Sequence, residues 1–353
     1  MGRFSTMSNA EGLGANSAGV ATRAGAASLP TIADLIECTK PGITRMVTIT
    51  ALVGFVLAAL GAWGGLWSAA PGSSWGTLDV LVTLVGCVLG TAFSAAGANA
   101  LNMWSEHARD ACMERTASRP IPSGRVSPRA AFWLGTGLST IGVVGLWVVC
   151  GPLASLISLA CVVTYLLLYT PMKVASPLST LVGAIPGALP PLIGWYAVGH
   201  ALSAGTAAGG SWLASPIGHA GGWALFGLMF VWQMPHFMAI AWKYREHYEA
   251  GGYRVLSVGD ASGARTAASM LRWTLLLLPA TLLPALAMPG LLGGVTIVVA
   301  TLTGLGFLWL VLEFGRERTA KRAKAVFLAS IAHLPLLLLV MVGEAGIRVL
   351  LGL

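Results

Sequence analysis

Stretches of about 20 almost uncharged residues recur along this chain, and nothing else in it limits the possible folds as tightly. "TITALVGFVLAALGAW" and "TLLLLPATLLPALAMPGLLGGVTIVVATLTGLGFLWLVL" are two of them. In a bilayer such a run can only be a helix, because its N–H and C=O groups must find partners within the segment. The sequence reads as nine spans: roughly 42–62, 78–104, 130–150, 153–170, 178–199, 222–243, 270–288, 291–312 and 326–350. Only "CGPL" separates the third from the fourth, so that division rests on a tight turn at Gly151 and Pro152. With 56% hydrophobic and 10% charged residues, the expected fold class is all-α, a polytopic membrane bundle. Residues 40–353 form its transmembrane domain, and 1–39 form an unstructured, Ala/Gly/Ser-rich tail without the apolar run of a signal peptide.

The basic residues orient this bundle. With those spans, 20 of the 21 Lys and Arg fall on one face, and only Arg348 is left on the other. The positive-inside rule makes that face cytoplasmic, or matrix-facing in a mitochondrion. The net charge of +8 is then topological, and no nucleic-acid partner is implied. A bacterial inner membrane is the expected location. The tail carries Glu11 and only two arginines before residue 30, unlike the Arg-rich, acid-poor presequence of a mitochondrial protein. The five cysteines show no metal-ligand spacing and no disulfide framework.

Two polar stretches interrupt the apolar pattern on the basic face. The first is "LNMWSEHARDACMERTASRPIPSG", Leu101 to Gly124. On a helix at about 100° per residue, Asn102, Glu106 and Asp110 share one stripe; Arg109 falls on the same face and His107 points away. Two carboxylates and an amide form a hard oxygen-donor set. Such a set suits Mg²⁺, which is commonly held by one or two carboxylates plus substrate phosphates. Arg115, Thr116 and Arg119 come directly after it, and arginine forks match phosphate oxygens. Acidic residues contribute little to topology, so interfacial anchoring does not account for the carboxylates.

The second stretch, "VWQMPHFMAIAWKYREHYEAGGYRVLSV", begins inside the sixth span. A continuous wheel puts Gln233, His236, Ile240, Lys243 and His247 on one face, and ionisable groups within a span usually face a cavity. Pro235 is placed to kink this helix. A third piece, "YTPMK" at Tyr169 to Lys173, ends the fourth span; Pro171 is expected to stop the helix and leave Lys173 beside the polar loops.

With these residues the chain resembles the protohaem IX farnesyltransferases (haem O synthases) of the UbiA-type intramembrane prenyltransferases. The likeness runs from about Lys40 to the last span. It is carried by "NMWSEHARDACMERTASRPIPSG", "YTPMK", "GAIPGALPPLIGW" and "WQMPHF", the last being the most discriminating, together with "WKYRE", Tyr248 and "GGY". The resemblance implies a nine-helix bundle around a lateral cavity capped by the polar loops. It also implies transfer of farnesyl from farnesyl diphosphate to a vinyl group of haem B, with addition of water. Haem O and diphosphate result, and haem O passes to haem A synthase or another haem O acceptor.

Carried onto this sequence, Asn102, Glu106 and Asp110 hold Mg²⁺ on the diphosphate, while Arg109, Arg115, Thr116, Arg119, Tyr169 and Lys173 surround its oxygens. Lys243 and Glu246 complete the cage from the second loop, and Gln233 and His236 position haem. One departure stands out: His247 occupies the place of an Asp usual in the family's second acidic motif. Because Mg²⁺ prefers oxygen, Glu246 or Glu249 supplies the missing ligand, or one metal suffices, or His247 faces the diphosphate as a cation. The alternative acceptor is an aromatic quinone precursor. A transporter is disfavoured, because the charges gather on one membrane face instead of threading the midplane. A purely structural haem-carrying subunit leaves the carboxylate stripe and its arginines unexplained.

Overall fold

A computed structural model describes residues 29–65, 76–203 and 216–353. Among these residues nine segments are long and apolar enough to cross a membrane, as the hydropathy pattern predicts. In chain order, α1 is Ile32–Cys38, α2 Pro41–Trp63, α3 Thr77–Asp110, α4 Glu114–Ala117 and α5 Pro128–Cys150. Then α6 (Pro152–Val163) continues through a π-helical turn at Thr164–Tyr169 into α7, Thr170–Ala175. Next come α8 (Ser179–Ala188), α9 (Pro190–Ser203), α10 (Pro216–Lys243) and the short α11 (Arg245–Ala250). The last three are α12 (Ala264–Ala287), α13 (Gly294–Glu317) and α14 (Ala320–Leu351). Leu81, Val85, Trp133, Ile141, Val148 and Leu302 are among many large apolar side chains left exposed, as on a surface turned to lipid. This is a multi-pass membrane protein.

Glycine decides how closely the helix bearing the carboxylates is held. A Cβ on Gly97 of α3 would lie 2.3 Å from the backbone nitrogen of Ser139 on α5, and one on Gly142 would lie 2.3 Å from that of Ser94. The α3 and α5 backbones therefore touch along a stripe of small residues, the usual way membrane helices pack closely. The turn between α5 and α6 falls at Gly151, whose φ of +85° suits glycine, and Pro152 starts the next helix as expected.

Several boundaries differ from the expected ones, for one reason. Apolar counting stops where charge begins, but the helical backbone continues. Thus α3 runs on to Asp110, α12 starts at Ala264, α13 reaches Glu317 and α14 starts at Ala320. Pro171 does not stop its helix. The N–H of Thr170 reaches back to the Tyr165 carbonyl, and this wider π register precedes the proline and lets α7 continue beyond it. Residues 1–28 of the expected tail lie outside the described residues. The remainder of the tail is not unstructured: Thr31 and Asp34 form a capping box that starts α1, and Arg125 pairs with Asp34 and Glu37.

Candidate functional site

The basic end of the bundle carries two polar clusters. The first is built on the last turns of α3. Asn102, Glu106 and Asp110 do share one stripe there, at 0%, 4% and 1% exposure, which is unusual for carboxylates. Each meets a cation from another segment. Lys173 of α7 donates to Glu106 at 2.7 Å, and Arg119, just after α4, donates to Asp110 at 2.7 Å. The Lys40 ammonium donates to the side-chain oxygen of Asn102.

The π turn completes this arrangement. Tyr165 donates its hydroxyl to the same Asn102 oxygen at 3.2 Å, and the Asn102 amide donates to the Thr170 hydroxyl at 3.0 Å. Tyr169 stacks on Tyr165, with Lys173 lying 4.5 Å from the centre of the Tyr169 ring. Gly183 of α8 gives that ring room, since a Cβ there would come within 2.5 Å of it. Lys40, Tyr165 and Thr170 were not among the expected site residues. Nothing in the sequence marks Lys40, which in the structure sits at φ +49°, a left-handed conformation uncommon outside glycine. Burial, reinforced by the charge of Arg119 and opposed by Glu106, lowers the pKa of Lys40 to about 7.

The loop residues divide by task. Thr116 donates its hydroxyl to the Asp110 carbonyl at 2.8 Å, so it closes the turn after α3. Arg109, expected on the carboxylate stripe, is exposed, because it lies at the stripe's edge in the last turn. Arg115 is exposed as well.

The second cluster lies where α10 ends. The continuous helix needed to align His247 with Lys243 is absent, because Tyr244 at φ −115° and ψ 27° breaks it and α11 starts afresh. Lys243 donates to the Tyr244 hydroxyl at 2.9 Å, and the Arg115 guanidinium stands 5.3 Å from the centre of the same ring. The hydrogen bond from Lys243, with the charges of Lys243, Arg115 and Lys324 and against a burial effect, holds the Tyr244 phenol below its ordinary pKa. The His247 ring meets Tyr244 edge-on at 5.9 Å, while Glu246 and Glu249 are exposed. The loop after α11 returns to the first cluster: the N–H of Arg254 donates to the Lys173 carbonyl at 2.7 Å, and the Tyr253 ring lies 5.9 Å from the Lys173 ammonium.

Inside the span, Gln233 and His236 point to different neighbours. Gln233 is buried and donates to the Met229 carbonyl at 3.0 Å, beside Gly187 of α8. His236 faces α14, with Nδ1 2.7 Å from the Ser330 hydroxyl.

Among the described residues, no three His, Cys, Asp or Glu side chains gather as a ready-made metal cage. The stripe on α3 nonetheless fits a hard cation. Its three oxygen-bearing side chains are one turn apart and buried, the kind of set that Mg²⁺ completes with phosphate oxygens and water.

The sequence profile described as the UbiA prenyltransferase family matches residues 40–334. A protoheme IX farnesyltransferase of Opitutus terrae is 41% identical over 317 residues, covering 88% of this chain and 94% of that protein. Among solved structures, a digeranylgeranylglyceryl phosphate synthase superposes with a TM-score of 0.64 at 16% identity, covering 89% of this chain and 98% of that one. A UbiA homologue of Archaeoglobus fulgidus, bound to GPP and Mg²⁺, gives a TM-score of 0.53 at 16% identity, covering 87% and 99%.

Proposed function

The chain belongs to the UbiA prenyltransferase family, and on that premise we propose that it transfers farnesyl from farnesyl diphosphate to a vinyl group of haem B. The observation that carries the reading is the buried stripe Asn102–Glu106–Asp110 with a cation on each member. Such a stripe suits a substrate that is apolar along its length and anionic at one end.

Asn102, Glu106 and Asp110 would hold Mg²⁺, which when bound offsets the charge gathering on the departing diphosphate. Lys40, Lys173 and Arg119, held beside the same stripe, would supply further positive charge to those oxygens. Tyr165 and Tyr169 present ring faces beside this site, and π faces favour cationic carbon as the allylic C–O bond breaks. The terminal vinyl carbon of haem bonds to C1 of farnesyl. Water then adds to the cation left on the inner vinyl carbon and loses a proton, so the products are haem O, diphosphate and a proton. His236 would position the acceptor, and Gln233, whose amide also reaches the Ala184 carbonyl at 3.4 Å, braces α10 against α8. Glu246, exposed on α11, would approach the diphosphate from the second loop. The polar end would face the cytoplasm, because the Lys and Arg of the connecting loops gather there. Haem O leaves for haem A synthase or another acceptor.

The test is an assay of membranes containing the protein, supplied with haem B, farnesyl diphosphate and Mg²⁺. A haem heavier by one farnesyl and one water, absent with Asp110→Asn and with chelator, is the expected result. Unmodified haem alongside a prenylated aromatic acceptor would move the chain to the quinone-precursor branch.

A further inference from the structure

A cavity of about 230 Å³ lies between α8, α10, α12 and the loop after α11, towards the basic end of the bundle. Ser257, Thr266 and Ser269 line its outer part, and Met234, Met238 and Trp273 its inner part. The order of residues along the helices sets this gradient. From Thr266 to Trp273 α12 runs about 10 Å inward from the basic end, and α10 covers the same depth from Ala241 to Met234. The cavity is therefore polar at the level of a lipid's ester groups and apolar at the level of its chains. Leu178, on its rim, is 61% exposed, and Pro177 beside it is exposed too.

The helical register shows which way the cavity opens. On α12, at about 100° per residue, Thr266, Ser269 and Trp273 make one stripe, and Arg265, Ala268 and Arg272 make the next. The second stripe is exposed and continues inward as Leu275, Leu276 and Leu283, a surface turned to lipid. On the opposite flank Met270, Thr274 and Leu277 are buried. The cavity stripe thus lies between the packed and the lipid-facing sides of α12, with both arginines on its lipid side.

No acid of the protein neutralises these arginines. Among the described residues no carboxylate lies within ion-pair distance of Arg265 or Arg272. Asp260, the acid nearest in sequence, is buried and accepts from the Thr266 N–H at 2.7 Å. Arg265 occupies the first turn of α12, where the helix dipole favours an anion over a cation. Arg272 lies two turns further in, and its Nε donates to the Ala268 carbonyl at 3.2 Å, so the side chain bends back towards the basic end. Cations are common at this end, but these two share one stripe beside an amphipathic cavity that faces lipid.

We propose that one anionic phospholipid binds here, its phosphate against Arg265 and Arg272 and one acyl chain in the cavity. Arginine forks match phosphate oxygens, and basic pockets between spans suit anionic headgroups. The lipid also touches segments that support the first cluster. The Ser257 hydroxyl donates to the Ala241 carbonyl at 2.8 Å, the Arg254 N–H holds the Lys173 carbonyl, and Pro177 follows directly on α7. A chain packed between these segments steadies the helix that aims Lys173.

The test uses full-length protein in phosphatidylcholine vesicles with and without phosphatidylglycerol, read by native mass spectrometry and by thermal melt. Wild type should retain one phosphatidylglycerol and melt at a higher temperature when it is present. Arg265→Gln with Arg272→Gln should weaken retention about tenfold or more and remove that rise, while melting like wild type in phosphatidylcholine alone. Ser269→Phe, which fills the cavity, should also lose the lipid. Arg129→Gln with Lys321→Gln, exposed cations on α5 and α14, should keep it. Retention by the Arg265/Arg272 variant equal to that of wild type overturns the proposal, and so does equal loss in the Arg129/Lys321 variant. If Ser269→Phe raises KM for farnesyl diphosphate and still retains phosphatidylglycerol, the cavity holds the prenyl chain and the proposal fails.

Discussion

The two polar clusters sit at the same end of the molecule and are built in opposite ways. In the first, carboxylates are buried and each carries a cation from a distant segment. In the second, Lys243 and Arg115 meet one phenol, and the nearby Glu246 and Glu249 are exposed. The difference comes from the backbone. The α3 helix runs unbroken past the apolar region and delivers three oxygen donors in register, whereas α10 breaks at Tyr244 and the side chains of α11 lose that register. On the proposed function, the first cluster would hold a cation with a phosphate attached, while the second offers positive charge without a paired carboxylate.

The largest effects should come from the first cluster. Asp110→Asn and Glu106→Gln keep shape and remove charge, and each should lower kcat for haem farnesylation by about 10²–10³-fold. Glu106→Gln also leaves Lys173 buried without its partner, a loss of about 3–5 kcal/mol of stability. The pair Glu106→Gln with Lys173→Met should recover most of the melting temperature and none of the activity. If activity returns with stability, Glu106 is only a counter-ion, and the contrast between the clusters collapses.

Arg119→Lys comes next. Lysine keeps the charge beside Asp110 but loses the planar fork that matches phosphate oxygens. KM for farnesyl diphosphate should rise about tenfold while KM for haem stays within a factor of two, an energy difference of about 1.4 kcal/mol. Equal rises in both would mean that the clusters share one anion.

His247→Asp restores the acid that the sequence resemblance leads one to expect, and a small effect is predicted. His247 packs against Tyr244, out of register with Lys243, and touches no member of the α3 stripe, so kcat at saturating Mg²⁺ should change by less than about threefold. A tenfold gain would show that the second loop closes over the metal during turnover, making the two clusters one site.

These contrasts also explain what the sequence revealed. The nine spans were legible because hydropathy reports burial in lipid directly, and the α3 stripe because its helix is regular for its full length. The break at Tyr244 has no glycine or proline to announce it, so the wheel carried His247 onto a face it does not share. Pro171 misled in the other direction, because the π turn that accommodates it is a backbone register with no residue signature. Lys40 looked like one more topological charge. Its role appears only when α2 is packed beside α3 and the ammonium meets Asn102.

The smallest predicted effect concerns the support that keeps the first cluster preorganised. Arg125 touches no member of the stripe, yet its guanidinium joins Asp34 and Glu37 of α1 to the Ser118 carbonyl, one residue before Arg119. An exposed ion pair contributes little to stability, so Arg125→Ala should leave the melting temperature nearly unchanged. It should, however, free the loop that aims Arg119, and a positioned group loses effect when its support loosens. The expected result is a two- to threefold rise in KM for farnesyl diphosphate, unchanged KM for haem, and near-complete rescue by Arg125→Lys. A rise in KM for haem instead would mean that the loop bearing Arg115 and Arg119 moves as a unit. The division between a fixed first cluster and an independent second one would then belong to the resting protein and not to its catalytic cycle.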